Sequence, residues 1–438
     1  MEPAGFSLRE PERPPPSEVS SGFVDGGPSP FAALRHRNFR LLWIGQLLSV
    51  SGSMMQSAAI LWHVALVAPP DHKAIALGLV GLVRVLPIVG FSMLSGVVAD
   101  VFDRRRVMVL TQSVMAVLAA VLAGLTMRGL HSPWPIYVVA ALSSAAGAFD
   151  GPARHALIPN LVPRDHLANA ISLNTIMFQV AAVAGPSAAG LVVATGGIAA
   201  AYWINAASFL FVIGALLMMR GVRGKGSATP GEHTPGTLSL GAALDGLRFV
   251  FSQPLIRSSM LLDFFATFFS SATALLPIFA QDILQLDARG YGWLYAAPSI
   301  GALVASAAMV RLVDRIDRRG LVLLWAVAGY GLATVAFGAS RSFWVMFGCL
   351  ALTGLTDTVS MVFRNVIRQL ETPDHLRGRM TGINMMFFMG GPQLGELEAG
   401  LVANWWGAPF SVVSGGIGCL LATAWVAVRT PELRAYRR

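Results

Sequence analysis

Charged residues are scarce in this 438-residue sequence: Asp, Glu, Lys and Arg make up 13% of it, about half the share of an ordinary soluble domain. That shortage excludes a chain whose whole surface is solvated. Only two cysteines are present, Cys349 and Cys419, with no CxxC pair, so neither a disulfide framework nor a thiolate metal site is expected, and both read as small packing residues. There is no Walker A loop, GxSxG elbow, HExxH or zinc spacing. Direct ATP drive, hydrolytic catalysis and a bound cofactor or metal are therefore not expected, and no residue is assigned a catalytic role. The net charge of +9 is spread over short separate clusters rather than one aromatic-interleaved stripe, which excludes a nucleic-acid surface.

Apolar sequence takes the place of charge. Hydrophobic residues make up 55% of the chain, and runs longer than about 18 residues, enough to cross the hydrocarbon of a bilayer, recur throughout. They predict twelve spans near 41–67, 74–99, 107–127, 134–154, 168–194, 198–219, 257–281, 290–312, 320–338, 343–364, 379–403 and 407–428. An even count puts both termini on one side. With that side cytoplasmic, the inside segments hold 27 Lys and Arg and the outside loops four, Lys73, Arg128, Arg289 and Arg341, as the positive-inside rule requires. The Pro-, Ser- and Gly-rich stretch 1–30 reads as a disordered cytoplasmic tail, not a signal peptide. A second flexible stretch, 221–241, reads as a cytoplasmic linker between a six-helix bundle at 31–220 and another at 242–430, and 431–438 as a short cytoplasmic tail. The expected class is an all-α membrane protein of twelve transmembrane helices in two pseudo-symmetric six-helix bundles, monomeric in the lipid bilayer.

The halves repeat. "ADVFDRRRV" at 99–107 returns as "VDRIDRRGL" at 313–321, an offset of 214. "VPRDHL" at 162–167 returns in "TPDHLR" at an offset of 209, Asp150 pairs with Asp357 at 207, and "GPSAAG" at 185–190 aligns with "GPQLGE" at 391–396 at 206, which sets Glu396 opposite Gly190. Parallel repeats with a site near the midplane between them are an architecture of secondary transporters.

These residues carry a resemblance. "GVVADVFDRRR" after span 2, its echo after span 8, "GPSAAG" in span 5 and "FDGPARHALIPNLVPRDHLANAISLN" resemble the major facilitator superfamily over about residues 31–430. "HRNFRLLWIGQLLSVSGSMMQ", that same span 4–5 segment and "GGPQLGELEAG" are similar to the branch that holds enterobactin (siderophore) exporters and macrolide-type efflux proteins. The resemblance implies cytoplasmic latch loops at Gly96, Asp100, Arg104 and Arg105 and, in the repeat, at Asp314, Asp317 and Arg318. Val101 and Asp103 depart from the family's loop pattern. It also implies an antiporter-like motif at Gly185, Pro186 and Gly190, with Ala189 replacing a usual glycine. The alternatives are arginines that only set topology and ordinary small-residue packing.

Arg84 is the deepest cation, about 10 residues from the nearer end of span 2, hence about 15 Å from water. A charge at that depth faces a cavity or a partner. In the architecture that the resemblance implies, spans 2 and 11 meet across the halves, and Glu396 lies near Arg84's depth. Glu396 and Glu398 stand some 200° apart on a helix, so only one can face Arg84. Glu396 is the expected gate or proton-coupling carboxylate and Glu398 its wetter neighbour near Trp405 and Trp406. Asp263 in span 7, amid "LLDFFATFF", is a proton site, a contact for a substrate cation, or the holder of a local hydrogen bond. Asp150 has Arg154 at i+4 and reads as a structural ion pair, and His63 as packed or hydrogen-bonded.

The function expected is proton-driven export of a small organic molecule, siderophore-like or a lipophilic drug, by alternating access. A facilitator or importer of the same fold and a transport-inactive sensor or scaffold are the alternatives. The intramembrane charges favour transport, because a scaffold has no use for them.

Overall fold

Proline, glycine and a few side-chain caps decide where the helices begin and end. The structure, a computed structural model, describes residues 31–221, 248–373 and 377–437. The expected tail at 1–30, all but the first residue of the expected linker at 221–241, and Arg438 lie outside the described residues. So do the side chains of Gly96, Asp100 and Asp314.

The first helices are α1 (Arg37–Val67), α2 (Lys73–Val101), α3 (Arg104–Met127) and α4 (Trp134–Leu157). Continuous helix follows over Arg164–Met218 but is broken at Gly197, whose φ of 78° and ψ of 172° suit a residue without a Cβ. That break separates α5 (164–196) from α6 (198–218). The second half holds α7 (Pro254–Phe269), which after a break at Ser270 and Ser271 continues through a tight 3-10 turn and a wider π turn to Ile283, then α8 (Ala288–Leu312), α9 (Arg319–Ala339), α10 (Phe343–Glu371), α11 (Arg377–Trp406) and α12 (Ala408–Arg429). Asp103 caps α3 by accepting from the amides of Arg105 and Arg106, and Asp287 caps α8 through Gly290. Gly407, at φ 86°, makes the reversal from α11 to α12.

Nine helical segments are long and apolar enough to cross a membrane among the described residues. One of these is the segment divided at Gly197, and α4 and α11 are of similar length although more polar. Dividing that segment and adding α4 and α11 gives twelve long helices among the described residues, six in each half. Residues 31 and 437, the ends of the described chain, lie on one face, called here the terminal side, and the loops α1–α2 and α11–α12 on the far side.

The two halves meet mainly along α5 against α8 and α2 against α11. Their described polar contacts, Lys73 with Asp282 and the Tyr291 hydroxyl donated to the Ala58 carbonyl at 2.9 Å, both lie toward the far side. Toward the terminal side α2 exposes Leu86, Val89 and Leu94, and a Cβ added at Gly90 or Gly390 would meet nothing within 4 Å. Among the described residues the halves are thus joined at the far side and parted toward the terminal side.

α10 differs from its expected span. It runs seven residues past 364, and Arg364 and Arg368, counted above among the 27 basic residues of the inside segments, are buried. Their acidic and amide partners on α7, α10 and α11 hold them inside.

Candidate functional site

Backbones approach closely where the halves join. A Cβ at Gly190 would lie 2.6 Å from the Ala288 carbonyl oxygen and 3.0 Å from Gly292 Cα. In the other seam, a Cβ at Gly400 would lie 2.8 Å from the Ala74 carbonyl oxygen and 2.7 Å from Gly78 Cα. Small residues allow such contact between membrane helices.

The two seams also correct the repeat alignment. Ala74 and Ala288, and Gly78 and Gly292, are each 214 apart, the offset already seen in the loops. Gly190 therefore corresponds to Gly400, not to Glu396. Gly185, packed on Ser51 and Met54 of α1, corresponds in the same way to Gly395, packed on Phe268 of α7. "GPSAAG" thus pairs with "GELEAG" at an offset of 210, one helical turn from the match by residue identity, which followed the Gly-Pro dipeptide. Glu396 corresponds to Pro186, and, at 214, Arg84 to Pro298.

Glu396 is buried against α2 at Gly81, where a Cβ would stand 2.7 Å from its Oε2. That oxygen has no hydrogen-bond partner among the described residues. Arg84 is one turn further along α2, yet the two form no ion pair within 4 Å among the described residues. They are close enough to feel each other, and Tyr291 and Tyr295 of α8 lie within electrostatic reach of both. Arg84 also lines a cavity of about 150 Å³ in the first half, with Ser53, Gln56, Ser143 and Asn205. Glu398 is only half-buried and carries no described bond, which separates it from Glu396 as helical geometry requires.

The second half carries a buried charge cluster whose partners sequence reasoning missed. Arg364 is 1% exposed, and its Nη1 lies 2.7 Å from Asp263 Oδ1. Its Nη2 reaches Asp357 at 3.3 Å, and Arg368 bonds Asn365 at 2.6 Å and Asn384. Asp263 is therefore neutralised from α10, and an open contact for a substrate cation is not available in this arrangement. The signal was the Asp357, Arg364, Arg368 spacing of seven and four, which puts all three on one helix face.

In the first half Asp150 accepts from Thr111 and Gln112 and pairs with Arg154 at 2.5 Å, a structural ion-pair cluster. His63 lies 3.2 Å from the Tyr202 hydroxyl. The arginines after α2 act locally: Arg104 donates to the Ala156 carbonyl and Arg105 to the Leu217 carbonyl. Both carbonyls lie at the last turns of α4 and α6, where unpaired acceptors and the helix dipole favour a cation. Asp317 and Arg318 are exposed.

At the far side Lys73 reaches both oxygens of Asp282 at 2.9 Å, with the acid half exposed. Such a wet pair is worth about 0.2–1 kcal/mol. Lys73→Ala is expected to change transport by less than about fivefold, and Lys73→Asp with Asp282→Lys to restore it. Initial rates in vesicles at low and high salt check this, and a collapse of transport in Lys73→Ala alone would make the pair an essential gate instead.

The fold and the buried, inter-half charges define a membrane transporter. Residues 28–437 match the family model described as "transmembrane secretion effector", and the chain belongs to that family of the major facilitator superfamily. It is 27% identical over 407 residues to the enterobactin exporter EntS of Escherichia coli O1:K1, covering 92% of this chain and 94% of that one. The same identity and coverage hold for EntS of Shigella boydii serotype 18. Among solved structures, a bacterial homologue of the human lysosomal transporter Spinster, inward-facing and unoccupied, superposes with a TM-score of 0.72 at 14% identity, over 94% of this chain and 99% of that one. A bacterial homologue of the iron transporter ferroportin, inward-facing, gives 0.64 at 16% identity, over 91% and 98%. The chain is a multi-pass membrane efflux transporter and not an enzyme.

Proposed function

We propose that this protein exports a small organic molecule, siderophore-like or a lipophilic drug, in exchange for protons, by alternating access and as a monomer with both termini in the cytoplasm. The observation that carries the reading is Glu396: a buried carboxylate with an unbonded oxygen, set on the seam that must open, one turn from Arg84. Moving a proton onto or off that acid changes what its burial costs, so it biases the seam between closed and open. Support for the orientation comes from the basic residues, 25 against four once the buried Arg364 and Arg368 are set aside. With the terminal side cytoplasmic, the parted end of the interface opens inward. Export of enterobactin by the relatives supports a siderophore-like cargo, and the phenylalanines of α7 suit an aromatic one.

Everted vesicles with an imposed pH gradient test the reading on a panel of siderophores and drugs. Wild type is expected to accumulate at least one compound, and dissipating the gradient to abolish it. Glu396→Gln should lose gradient-driven accumulation while keeping exchange of labelled for unlabelled compound. Absence of gradient-dependent uptake across the panel would sink proton-driven export, and unimpaired uptake by Glu396→Gln would remove Glu396 from the coupling step.

A further inference from the structure

The two halves contain repeat-related cavities of opposite character. Among the described residues, the first-half cavity is lined by Arg84 and by no Asp or Glu. Its counterpart in the second half, about 120 Å³, is lined among the described residues by Asp357 and by no Lys or Arg. Positions 84 and 298, and 56 and 270, match at the offset of 214, and 143 and 350 at 207, so these are equivalent places in the two bundles. Where the second half has Pro298, Ser270 and Leu350, the first has Arg84, Gln56 and Ser143.

Those three substitutions all add hydrogen-bonding capacity around a cation. Ser143 Oγ is buried with no partner among the described residues. Gln56 Oε1 is already taken by Asn205, which donates to it at 2.7 Å, leaving the Gln56 amide nitrogen to donate elsewhere. Arg84 has no described hydrogen bond or ion pair. An arginine at this depth is costly unless it faces a counter-charge or polar cavity, and a guanidinium matches two oxygens of one planar anion. The cavity accepts a single charged group rather than a whole drug-sized molecule, for which several hundred Å³ is usual.

From this we propose that the Arg84 cavity is a subsite for an oxyanion, a carboxylate or ionised phenol, on the exported molecule, held by Arg84 with Ser143 and Gln56 as donors. The proposal rests on the efflux reading for what arrives there, but the site is defined by its own geometry. The rest of the molecule extends toward the parted end of the interface.

A matched pair of probes tests it: 2-naphthoate and 2-naphthamide, equal in shape and different in charge, in equilibrium binding to the purified full-length protein in detergent. Wild type should bind the acid about 10- to 100-fold more tightly than the amide, the range for a charge-assisted, two-point hydrogen bond. Arg84→Gln should abolish the preference, Arg84→Lys should keep part of it, and Ser143→Ala should weaken the acid severalfold and leave the amide unchanged. Unfolding temperatures and gel-filtration profiles of the variants establish that they fold, and Arg84→Lys and Ser143→Ala keep the test decisive if Arg84→Gln does not. Equal binding of acid and amide by wild type, no saturable binding of the acid, or an undiminished preference in Arg84→Gln overturns the proposal. The assay needs no gradient: acid preference in a protein that fails to transport overturns export and keeps the subsite, whereas transport without acid preference keeps export and overturns the subsite.

Discussion

Replacing Arg364 with leucine is expected to cost about 3–5 kcal/mol, the usual penalty for removing one partner of a buried ion pair. The guanidinium sits between Asp263 and Asp357, at 2.7 and 3.3 Å, and is 1% exposed. Without it Asp263, itself buried on α7, loses its counter-charge in a region where water cannot replace it. Arg368 is the remaining cation nearby, but its bonds go to Asn365 and Asn384. The expected result is a sharp fall in monodisperse yield and a clearly lower unfolding temperature in mild detergent. Asp263→Leu together with Arg364→Leu should recover much of that stability, because replacing both ions by apolar groups removes the desolvation cost as well as the attraction. If Arg364→Leu unfolds at the wild-type temperature, the pair is not what holds α7 to α10.

The second large effect concerns the glycine seam. A Cβ at Gly292 would lie 2.8 Å from Gly190 Cα and 2.8 Å from the Pro186 carbonyl oxygen, both backbone atoms that cannot rotate away. Gly292→Leu must push α8 from α5 at the far side, and overpacking of this kind costs about 1–3 kcal/mol. Under alternating access that cost falls only on the state closed at the far side, so the population shifts away from it by roughly 5- to 150-fold. Transport is expected to drop to near background. In a variant with Cys349 and Cys419 replaced by serine and a single reporter at Ser57→Cys, on α1 in the lining of the first-half cavity, a membrane-impermeant maleimide added from the far side should label much faster. Gly124→Leu is the control, since a Cβ there meets nothing within 4 Å. Equal labelling and equal transport in Gly292→Leu and Gly124→Leu would mean that the seam does not gate the far side.

Much of the fold was legible because the bilayer imposes a length on every helix and a charge bias on every loop. Gly197 and Gly407, with their positive φ, sit at reversals that the spans already required. The ion pair of Asp150 with Arg154 followed from i+4 spacing alone. The site was less legible, for two physical reasons. Buried ion pairs between helices have no sequence period, so Asp263 could be identified as an acid in the membrane but not joined to Arg364 a hundred residues on. In addition, the apparent match of two Gly-Pro dipeptides outweighed the spacing of small residues, which slid the second repeat by one turn. Close packing of Gly185 and Gly190, and of Gly395 and Gly400, is what the two halves share. Proline is free to differ between them.

That corrected register has a mechanical consequence. At the two equivalent positions where the α2–α11 seam carries Arg84 and Glu396, the α5–α8 seam carries Pro298 and Pro186. Prolines bend helices and leave backbone carbonyls unpaired, but they bind no proton and attract no ion. At these two positions one seam thus carries no titratable side chain and yields only to shape, while its twin can sense charge. A motion close to two-fold symmetric in form would take its stimulus from one side of the axis only, and the bend in α5 and α8 would let the second seam follow without a signal of its own.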